Sequence, residues 1–243
     1  MNGSILPATD IGARKFLMQV PTQFDAGLPR PTTIEPALFD LLFASCRPEL
    51  HRAGQYLFVQ EDESNRIYGV LSGRIEISIY SPGGQKLVAN IEQRRSLVGE
   101  IGALDGKPRT ATALCLTDCQ LVSLSRAQLF ERIERQPPLA PAMIALLCGR
   151  LRWVSGELGD QAFLGIEARL AKRLLFLSRI LGDASGWIRI SQAELADFLG
   201  ATRESVNKML NDWRGRNLIE LRRGAIRVVD VDSIEEIIGR FDD

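Results

Sequence analysis

The chain has 243 residues and a mass of 27.0 kDa, and 45% of its residues are hydrophobic while 25% are charged. These proportions are typical of a globular protein with a buried core, and they exclude a disordered chain or a small scaffold held by disulfides. Thirty basic residues balance thirty acidic ones, which argues against nucleic-acid binding unless the basic residues are concentrated in one segment.

Neither a membrane span nor a secretion signal is expected. The apolar runs are shorter than the roughly 18 residues that a membrane helix needs, and the first residues lack the charged start and apolar core of a signal peptide. We therefore expect a cytoplasmic protein with no membrane partner. The four cysteines form no CxxC pair and His51 is the only histidine, so we expect reduced thiols and no bound metal.

The N-terminal half of the sequence predicts an arm followed by a β domain. Residues 1–33 contain four prolines and little periodicity, which indicates an irregular arm. Residues 36–45 have helical apolar spacing. Short runs rich in Val, Ile, Tyr and Phe then recur between about residues 50 and 125, separated by Gly and Pro turns, and this pattern predicts a β-barrel or sandwich. We assign residues 34–136 to this domain.

A long helix is predicted next, over residues 137–164. Its apolar stripe is formed by Leu139, Met143, Leu147, Leu151, Val154 and Leu158, spaced three or four residues apart. The stripe could pack on the β domain of its own chain. We favour the alternative, in which the stripe of a second copy packs against it in a homodimer.

Residues 165–243 read as a compact, mainly helical domain. One amphipathic helix is predicted from Ile166 to Leu181 and a short strand at residues 187–190. Ser191 and Glu194 have the spacing of a capping box, in which each side chain satisfies a free backbone N–H, so a second helix is expected to begin there.

That second helix is the first half of a predicted helix-turn-helix. Ala196, Gly200, Val206 and Met209 supply a close crossing, a turn with positive φ and two apolar contacts. Thr202 is the expected cap of the following helix, and residues 218–229 predict a wing with its turn at Arg223 and Gly224. Between residues 202 and 227 seven basic residues stand against three acidic ones, a local balance of +4.

The helix-turn-helix pattern alone is also compatible with a helical hairpin that merely packs. The cap, the wing and the local charge favour DNA binding instead. We place the DNA-contacting side chains at Ser191, Thr202, Arg203, Glu204, Asn207, Lys208 and Arg223.

The β region contains a segment suited to a small anion, residues 98–112, which we call the cassette. Gly99 permits close backbone approach, and a helical turn after it would direct free N–H groups at a phosphate. Arg109 offers a guanidinium for that phosphate, Thr110 a hydroxyl, and Glu100 a carboxylate suited to a ribose hydroxyl. The alternative is a surface hairpin with a solvated arginine.

The order of these parts, with the cassette and the helix-turn-helix, resembles the cyclic-AMP receptor branch of the Crp/Fnr superfamily of bacterial transcription regulators. The resemblance covers roughly residues 35–230. It implies an α+β fold with an N-terminal β-roll, a long dimerisation helix and a C-terminal winged helix-turn-helix. It also implies a homodimer that binds cyclic AMP, contacts RNA polymerase and binds a palindromic, TGTGA-like site in double-stranded DNA.

The resemblance carries site roles onto matching residues. The nucleotide-binding positions are Gly99, Glu100, Ile101, Arg109, Thr110, Val154 and Ser155. On the DNA side, Arg203 would approach a guanine, Glu204 a cytosine amino group, and Lys208 a further guanine or a phosphate.

Two departures from the family pattern bear on the ligand. Cyclic-AMP receptors place a Thr-Ser pair near the adenine, where this chain has Val154 and Ser155. Losing one neutral hydrogen bond costs about 0.5–1.5 kcal/mol, so cyclic AMP would bind more weakly and cyclic GMP becomes possible. The turns at residues 61–63 and 93–96 also differ. A regulator with a degenerate β-roll that needs no nucleotide is therefore the alternative.

Other branches and classes fit the sequence less well. No cysteine precedes Cys46, so the N-terminal cysteine cluster of iron–sulfur members is missing, and one histidine gives little support to haem. An enzyme is not expected either, because no nucleophile–base pair or phosphate-transfer loop is found.

Overall fold

The computed structural model describes residues 33–239. The predicted N-terminal arm, residues 1–33, lies outside this part of the chain except for Thr33, which forms an isolated β-bridge with Ser96. The predicted α+β fold is confirmed: a β-roll is followed by a long helix and a winged helix-turn-helix.

The β-roll consists of two four-stranded antiparallel sheets. Its strands are β1 Glu49–His51, β2 Tyr56–Phe58, β3 Arg66–Ser72, β4 Ile75–Tyr80, β5 Lys86–Glu92, β6 Leu97–Val98, β7 Thr112–Cys115 and β8 Cys119–Ser125. The strand orders are β1-β8-β3-β6 and β2-β7-β4-β5. Apolar residues of both sheets, such as Val70 and Leu121 of one and Ile75 of the other, form a shared core, which is how a sandwich buries its inner faces.

Three helices belong to this first part, α1 Pro36–Leu42, α2 Glu100–Asp105 and α3 Arg126–Arg135. Helix α3 begins with a capping box in which Ser125 caps the N–H of Gln128 and the Gln128 side chain accepts from the N–H of Ser125. Phe39 and Leu42 of α1 and Leu129 of α3 are buried in one apolar cluster. This cluster lies beside the β1-β8-β3-β6 sheet and also receives the start of the next helix.

The two turns that differ from the family pattern both contain a left-handed residue that is not glycine. Glu61 has φ 71° and Arg95 has φ 70°, a conformation that glycine adopts most easily. The N–H of Glu61 donates to the carbonyl of Arg109 at 2.9 Å, and the N–H of Arg95 donates to the carbonyl of Val70 at 2.8 Å. The altered turns are thus anchored by backbone hydrogen bonds.

The predicted long helix is α4, Leu139–Phe163, with 25 residues. Its apolar stripe divides into two halves. Leu139 and Met143 are buried against the β-roll, whereas Leu151 and Leu158 are 68% and 69% exposed. The first half of the stripe therefore packs on its own domain, and its second half is uncovered in the single chain.

The C-terminal part contains four helices and a small sheet. The helices are α5 Ile166–Leu181, α6 Gln192–Leu199, α7 Arg203–Gly215 and α8 Val231–Gly239, and the strands are β9 Trp187–Arg189, β10 Ile219–Arg222 and β11 Ala225–Val228. The antiparallel sheet has the order β10-β11-β9. Strands β10 and β11 form the predicted wing. Helix α8 was not predicted, and its Ile234 and Ile237 are buried in the core of this part.

The C-terminal part packs on the β-roll. The chain is extended at Leu164 and Gly165, and α5 then runs back along the end of α4. Lys172 pairs with Asp160 at 2.8 Å and Arg173 with Glu157 at 2.9 Å. Val88 and Ile91 of β5 belong to the same buried cluster as α5 and α6. Strand β5 therefore touches the helix-turn-helix directly.

Candidate ligand cavity and nucleic-acid interface

A cavity of about 250 Å³ opens between the β2-β7-β4-β5 sheet, the cassette and α4. Its walls are formed by Phe58, Ile77, Ile79, Ala89, Asn90, Glu92, Val98, Gly99, Glu100, Ile101, Gly102, Arg109, Thr110, Ala111, Arg150, Trp153 and Val154. The sheet supplies most of the apolar wall, while charged groups are contributed by the cassette, β5 and α4. The structure thus brings together six of the seven residues predicted for the nucleotide.

Arg109 is a cation held inside this cavity, with only 4% of its surface exposed. Its Nη1 donates to the carbonyl of Gly99 at 2.8 Å and its Nη2 to the carbonyl of Arg66 at 2.7 Å. The guanidinium also lies 4.1 Å from the ring centre of Phe58. Burial lowers the pKa of Arg109, although Tyr68 and the carboxylates of Glu100 and Asp62 oppose the shift.

Arg109 forms no ion pair with a carboxylate within residues 33–239, and its Nε has no hydrogen-bond partner there. Gly99 has φ +82°, and a Cβ at this position would collide with the Arg109 guanidinium. A glycine is therefore required for the arginine to take this place. A buried guanidinium that is not directly paired with a carboxylate favours a bound anion.

Glu100 lies beside Arg109 and is 1% exposed. Its Oε1 is paired with Nη1 of Arg150, which comes from α4. Desolvation raises the pKa of Glu100, and the charge of Arg150 opposes this shift. The second carboxylate oxygen of Glu100 has no hydrogen-bond partner in the described part of the chain, so it can accept a hydrogen bond from a ligand hydroxyl.

Arg150 and Glu92 are site residues that the sequence analysis missed. Nη2 of Arg150 lies 3.3 Å from Oε1 of Glu92 and donates to the carbonyl of Leu97 at 2.6 Å. Arg150 thereby joins two carboxylates that are both almost completely buried, Glu92 and Glu100. Only its position on the face of α4 that meets the β-roll could have indicated this role.

The remaining predicted ligand residues occupy different positions. Ile101, in the first turn of α2, and Thr110 are exposed at the cavity wall, and α2 is the helical turn expected after Gly99. Val154 also lines the cavity. Ser155 does not line it: its hydroxyl donates to the carbonyl of Leu151 in its own helix at 2.9 Å.

The helix-turn-helix is formed by α6 and α7. The capping box of Ser191 and Glu194 is present, Gly200 has φ +59°, and the Thr202 side chain accepts from the N–H of Ser205 at 3.2 Å. The hydroxyl of Ser191 is therefore engaged in capping α6. Val206, Leu210 and Trp213 bury the inner face of α7, which leaves its other face free to enter a groove.

The outer face of α7 carries charges that no other described residue neutralises. The side chains of Arg203, Glu204 and Lys208 are exposed and form no hydrogen bond or ion pair with the rest of residues 33–239. Asn207 is different, because its Oδ1 accepts from Nε2 of Gln192 at 3.0 Å and from Nδ2 of Asn211 at 2.9 Å. Gln192 and Asn211 hold Asn207 in place, a role that the sequence pattern does not indicate.

The wing adds to the positive surface. Arg227 pairs with Glu220 at 2.7 Å, and Arg216 pairs with Asp212 at 3.3 Å, so these two acidic residues are matched. Arg222 stacks over Trp187 at 4.0 Å, and Arg223 is exposed at the predicted turn. The excess positive charge of residues 202–227 therefore lies on the exposed surfaces of α7 and the wing.

Within residues 33–239, no group of three or more His, Cys, Asp or Glu side chains is arranged to hold a metal ion. In the same range, no helix is both long enough and apolar enough to span a bilayer.

Comparison with known proteins matches both parts of the chain. Residues 48–136 match the family model of the cyclic nucleotide-binding domain, and residues 168–237 match that of the Crp-like helix-turn-helix domain. The chain is 31% identical to the cyclic AMP receptor protein of Thermus thermophilus over 205 residues, covering 84% of this chain and 94% of that protein.

Two more comparisons agree. The CRP-like cAMP-activated global transcriptional regulator of Mycobacterium tuberculosis is 29% identical over 206 residues, covering 83% of this chain and 92% of the relative. The solved structure of the c-di-GMP responsive global regulator CLP of Xanthomonas campestris has a TM-score of 0.69 at 21% identity, covering 80% of this chain and 99% of that one. This second likeness concerns the fold.

Proposed function

Because the chain belongs to the Crp/Fnr superfamily, we propose that it is a transcription regulator whose binding to DNA responds to a cyclic nucleotide. The observation that carries the proposal is the buried Arg109, a cation without a carboxylate partner in the described chain, in a cavity on the same molecule as the uncompensated charges of α7. The protein would act by binding and not by catalysis, in the cytoplasm and with RNA polymerase as a partner.

The ligand we propose is cyclic AMP, with cyclic GMP as the second candidate. Arg109 would bind the cyclic phosphate by charge-assisted hydrogen bonds, with Thr110 and the backbone at Gly99 beside it. The unpartnered oxygen of Glu100 would accept from the ribose hydroxyl. The apolar wall that includes Ile77 would cover the base, which is the usual composition of a small-molecule site.

On the DNA side we propose direct contacts by α7 in the major groove. Arg203 would donate to guanine O6 and N7, Glu204 would accept from a cytosine amino group, and Lys208 would contact a further guanine or a phosphate. Thr202, Asn207 and Arg223 would contact or position the backbone. Ser191, which caps α6, would act by placing the helix.

The proposed unit is a homodimer on a palindromic, TGTGA-like site, formed through the uncovered half of α4. The proposal divides the chain into a β-roll domain at residues 34–136, a dimerisation helix at residues 137–164 and a DNA-binding domain at residues 165–243. The support is the exposure of Leu151 and Leu158, at 68% and 69%, because a helix with an uncovered apolar stripe is stabilised by a partner helix.

The dimer is tested by the molecular mass in solution. Leu151→Asp places a charge in the proposed dimer interface. We expect light scattering to give the mass of one chain for this variant and of two chains for the wild type. Ala145→Asp puts the same charge on an exposed position of α4 outside the stripe and should stay dimeric. A wild type that measures as a single chain at micromolar concentration contradicts the homodimer.

The nucleotide is tested by calorimetric titration of the full chain with cyclic AMP and cyclic GMP, followed by DNA binding in each liganded state. Arg109→Leu should weaken ligand binding about 10- to 100-fold, because a charge-assisted contact contributes about 1.5–3 kcal/mol. The matched control, Arg94→Leu, removes an exposed arginine outside the cavity and should bind normally. No heat at millimolar ligand contradicts the proposal.

A second candidate is a regulator that binds DNA without a nucleotide. It is favoured by Val154, which has no hydroxyl for the base, and by the Ser155 hydroxyl, which is bonded within its own helix. In that case fluorescence anisotropy would report the same DNA affinity with and without either nucleotide. A ligand-dependent affinity excludes this candidate.

A further inference from the structure

Asn90 of β5 is a buried amide at the wall of the cavity, with 4% of its surface exposed. Its Nδ2 donates to Oε1 of Glu92 at 3.2 Å. A carboxylate can only accept, so this contact identifies the nitrogen end of the amide and leaves the oxygen as the other end. That oxygen, Oδ1, has no hydrogen-bond partner in the described part of the chain.

A buried acceptor without a partner is unfavourable, and folded proteins satisfy nearly all such groups. Near a binding cavity, the missing partner is often supplied by a ligand or an ordered water. The indole Nε1 of Trp153, at the same cavity, also lacks a partner within the described residues. Oδ1 of Asn90 and Nε1 of Trp153 thus join the second oxygen of Glu100 and Nε of Arg109 as polar atoms at the cavity wall that the described chain does not use.

The orientation of the Asn90 amide is set by a chain of contacts. Oε1 of Glu92 accepts from Asn90 and also lies 3.3 Å from Arg150, which is paired with Glu100 as well. These contacts connect the amide to the carboxylate proposed for the ribose. Rotation of the amide would place its oxygen against the Glu92 carboxylate, so the acceptor is held in one orientation.

We propose that Oδ1 of Asn90 accepts a hydrogen bond from the exocyclic amino group of the purine base. The proposal rests on the proposed function, since it assumes that a cyclic nucleotide occupies the cavity. Val154 presents no hydroxyl to the cavity, and Asn90 supplies the base contact from β5 instead of from α4. Asn90 is thus a specificity-determining residue for the presence of the amino group.

The test compares nucleotides that differ by this amino group alone. Cyclic AMP is paired with purine riboside 3′,5′-cyclic monophosphate, which lacks the 6-amino group, and cyclic GMP with cyclic IMP, which lacks the 2-amino group. Calorimetry on the full-length wild type should show about tenfold tighter binding of the aminated member of one pair, because a site built around a hydrogen bond rejects the analogue that lacks it. The pair that shows the difference identifies the base.

Asn90→Leu removes the acceptor and keeps a side chain of similar size. The same titrations on this variant should bring the ratio of the two affinities within the pair close to one, while the nucleotide without the amino group still binds. Asn90→Ser, which keeps a side-chain oxygen, should retain part of the ratio. Val154→Thr in the Asn90→Leu background supplies a hydroxyl from α4 and should restore part of it. Thermal unfolding checks that each variant is folded.

The outcomes separate the two levels of the proposal. No binding of any of the four nucleotides to the wild type overturns both the proposed function and the role of Asn90. Binding with equal affinity within each pair, or a ratio that survives Asn90→Leu, overturns the role of Asn90 alone. A ratio that is lost in Asn90→Leu and partly kept in Asn90→Ser supports it.

Discussion

The cavity and the outer face of α7 hold their charges in opposite ways. In the cavity, Glu92 and Glu100 are almost completely buried and share one arginine, Arg150. On α7, Arg203 and Lys208 are exposed and unpaired within the described chain. Burying charge is unfavourable unless it is paired, whereas solvated charge is nearly neutral for folding. The cavity charges therefore contribute to both stability and binding, and the α7 charges to binding alone.

The largest expected effect comes from breaking the buried network. Arg150→Leu leaves two buried carboxylates without their cation, and we expect the free energy of unfolding to fall by about 3–5 kcal/mol. Urea unfolding followed by circular dichroism measures this change. Arg152→Leu, an exposed arginine of the same helix, should change stability by no more than about 0.5 kcal/mol. Equal stability of the two variants contradicts a structural role for Arg150.

On α7 we expect a substitution to weaken DNA binding and to leave stability unchanged. Arg203→Ala should weaken binding to the specific site about 10- to 100-fold, since a bidentate contact to guanine contributes about 1–3 kcal/mol. Its urea midpoint should match that of the wild type. Anisotropy titrations at one fixed salt concentration measure the affinity. Arg179→Ala removes an equal charge from an exposed position of α5, and a similar loss in this control would argue for bulk charge instead of base contact.

The smallest effect is expected between the two regions, at Asp197 of α6. Desolvation raises the pKa of this carboxyl, and Lys86 of β5 opposes the shift. Because the charged form is disfavoured in the folded chain, the contribution of Asp197 to stability is present below its unfolded pKa of about 3.9 and is lost as the pH rises through the folded pKa.

Asp197→Asn removes this titration and keeps the size of the side chain. The thermal midpoint of the variant should equal that of the wild type near the unfolded pKa and exceed it slightly at neutral pH. Differential scanning calorimetry across this range measures the difference. A wild type that gains stability over the variant as the pH rises would show that Lys86 outweighs the desolvation of Asp197.

The fold was largely predictable because its signals are local. The apolar period of α5, the capping box at Ser191 and the turn at Gly200 each lie within a few residues, and each is present in the structure. The strands that were missed are short or adjoin stronger signals. Strands β1 and β6 have three and two residues, too few to show alternation, and β7 follows directly after the cassette.

The cavity was predictable only in its contiguous part. Gly99, Glu100 and Arg109 lie within one segment and share one chemistry. Arg150 is 50 residues from Glu100 and 58 from Glu92 in the sequence, and its role depends on how α4 crosses the sheet. Asn90 was missed for a similar reason, because alternation on β5 cannot show that a polar side chain faces a cavity instead of solvent.

Val154 belongs to two surfaces, since it lines the cavity and is 51% exposed on the uncovered stripe of α4. In the proposed homodimer, a bound nucleotide that shifts Val154 would change the affinity of the two chains for each other. Thermodynamic linkage then requires that dimerisation changes the affinity for the nucleotide by the same factor. The concentration of the protein then becomes part of its response. Where the nucleotide strengthens pairing, scarce protein, present mainly as single chains, would need more nucleotide to reach the same occupancy, and synthesis of the regulator would itself tune its sensitivity.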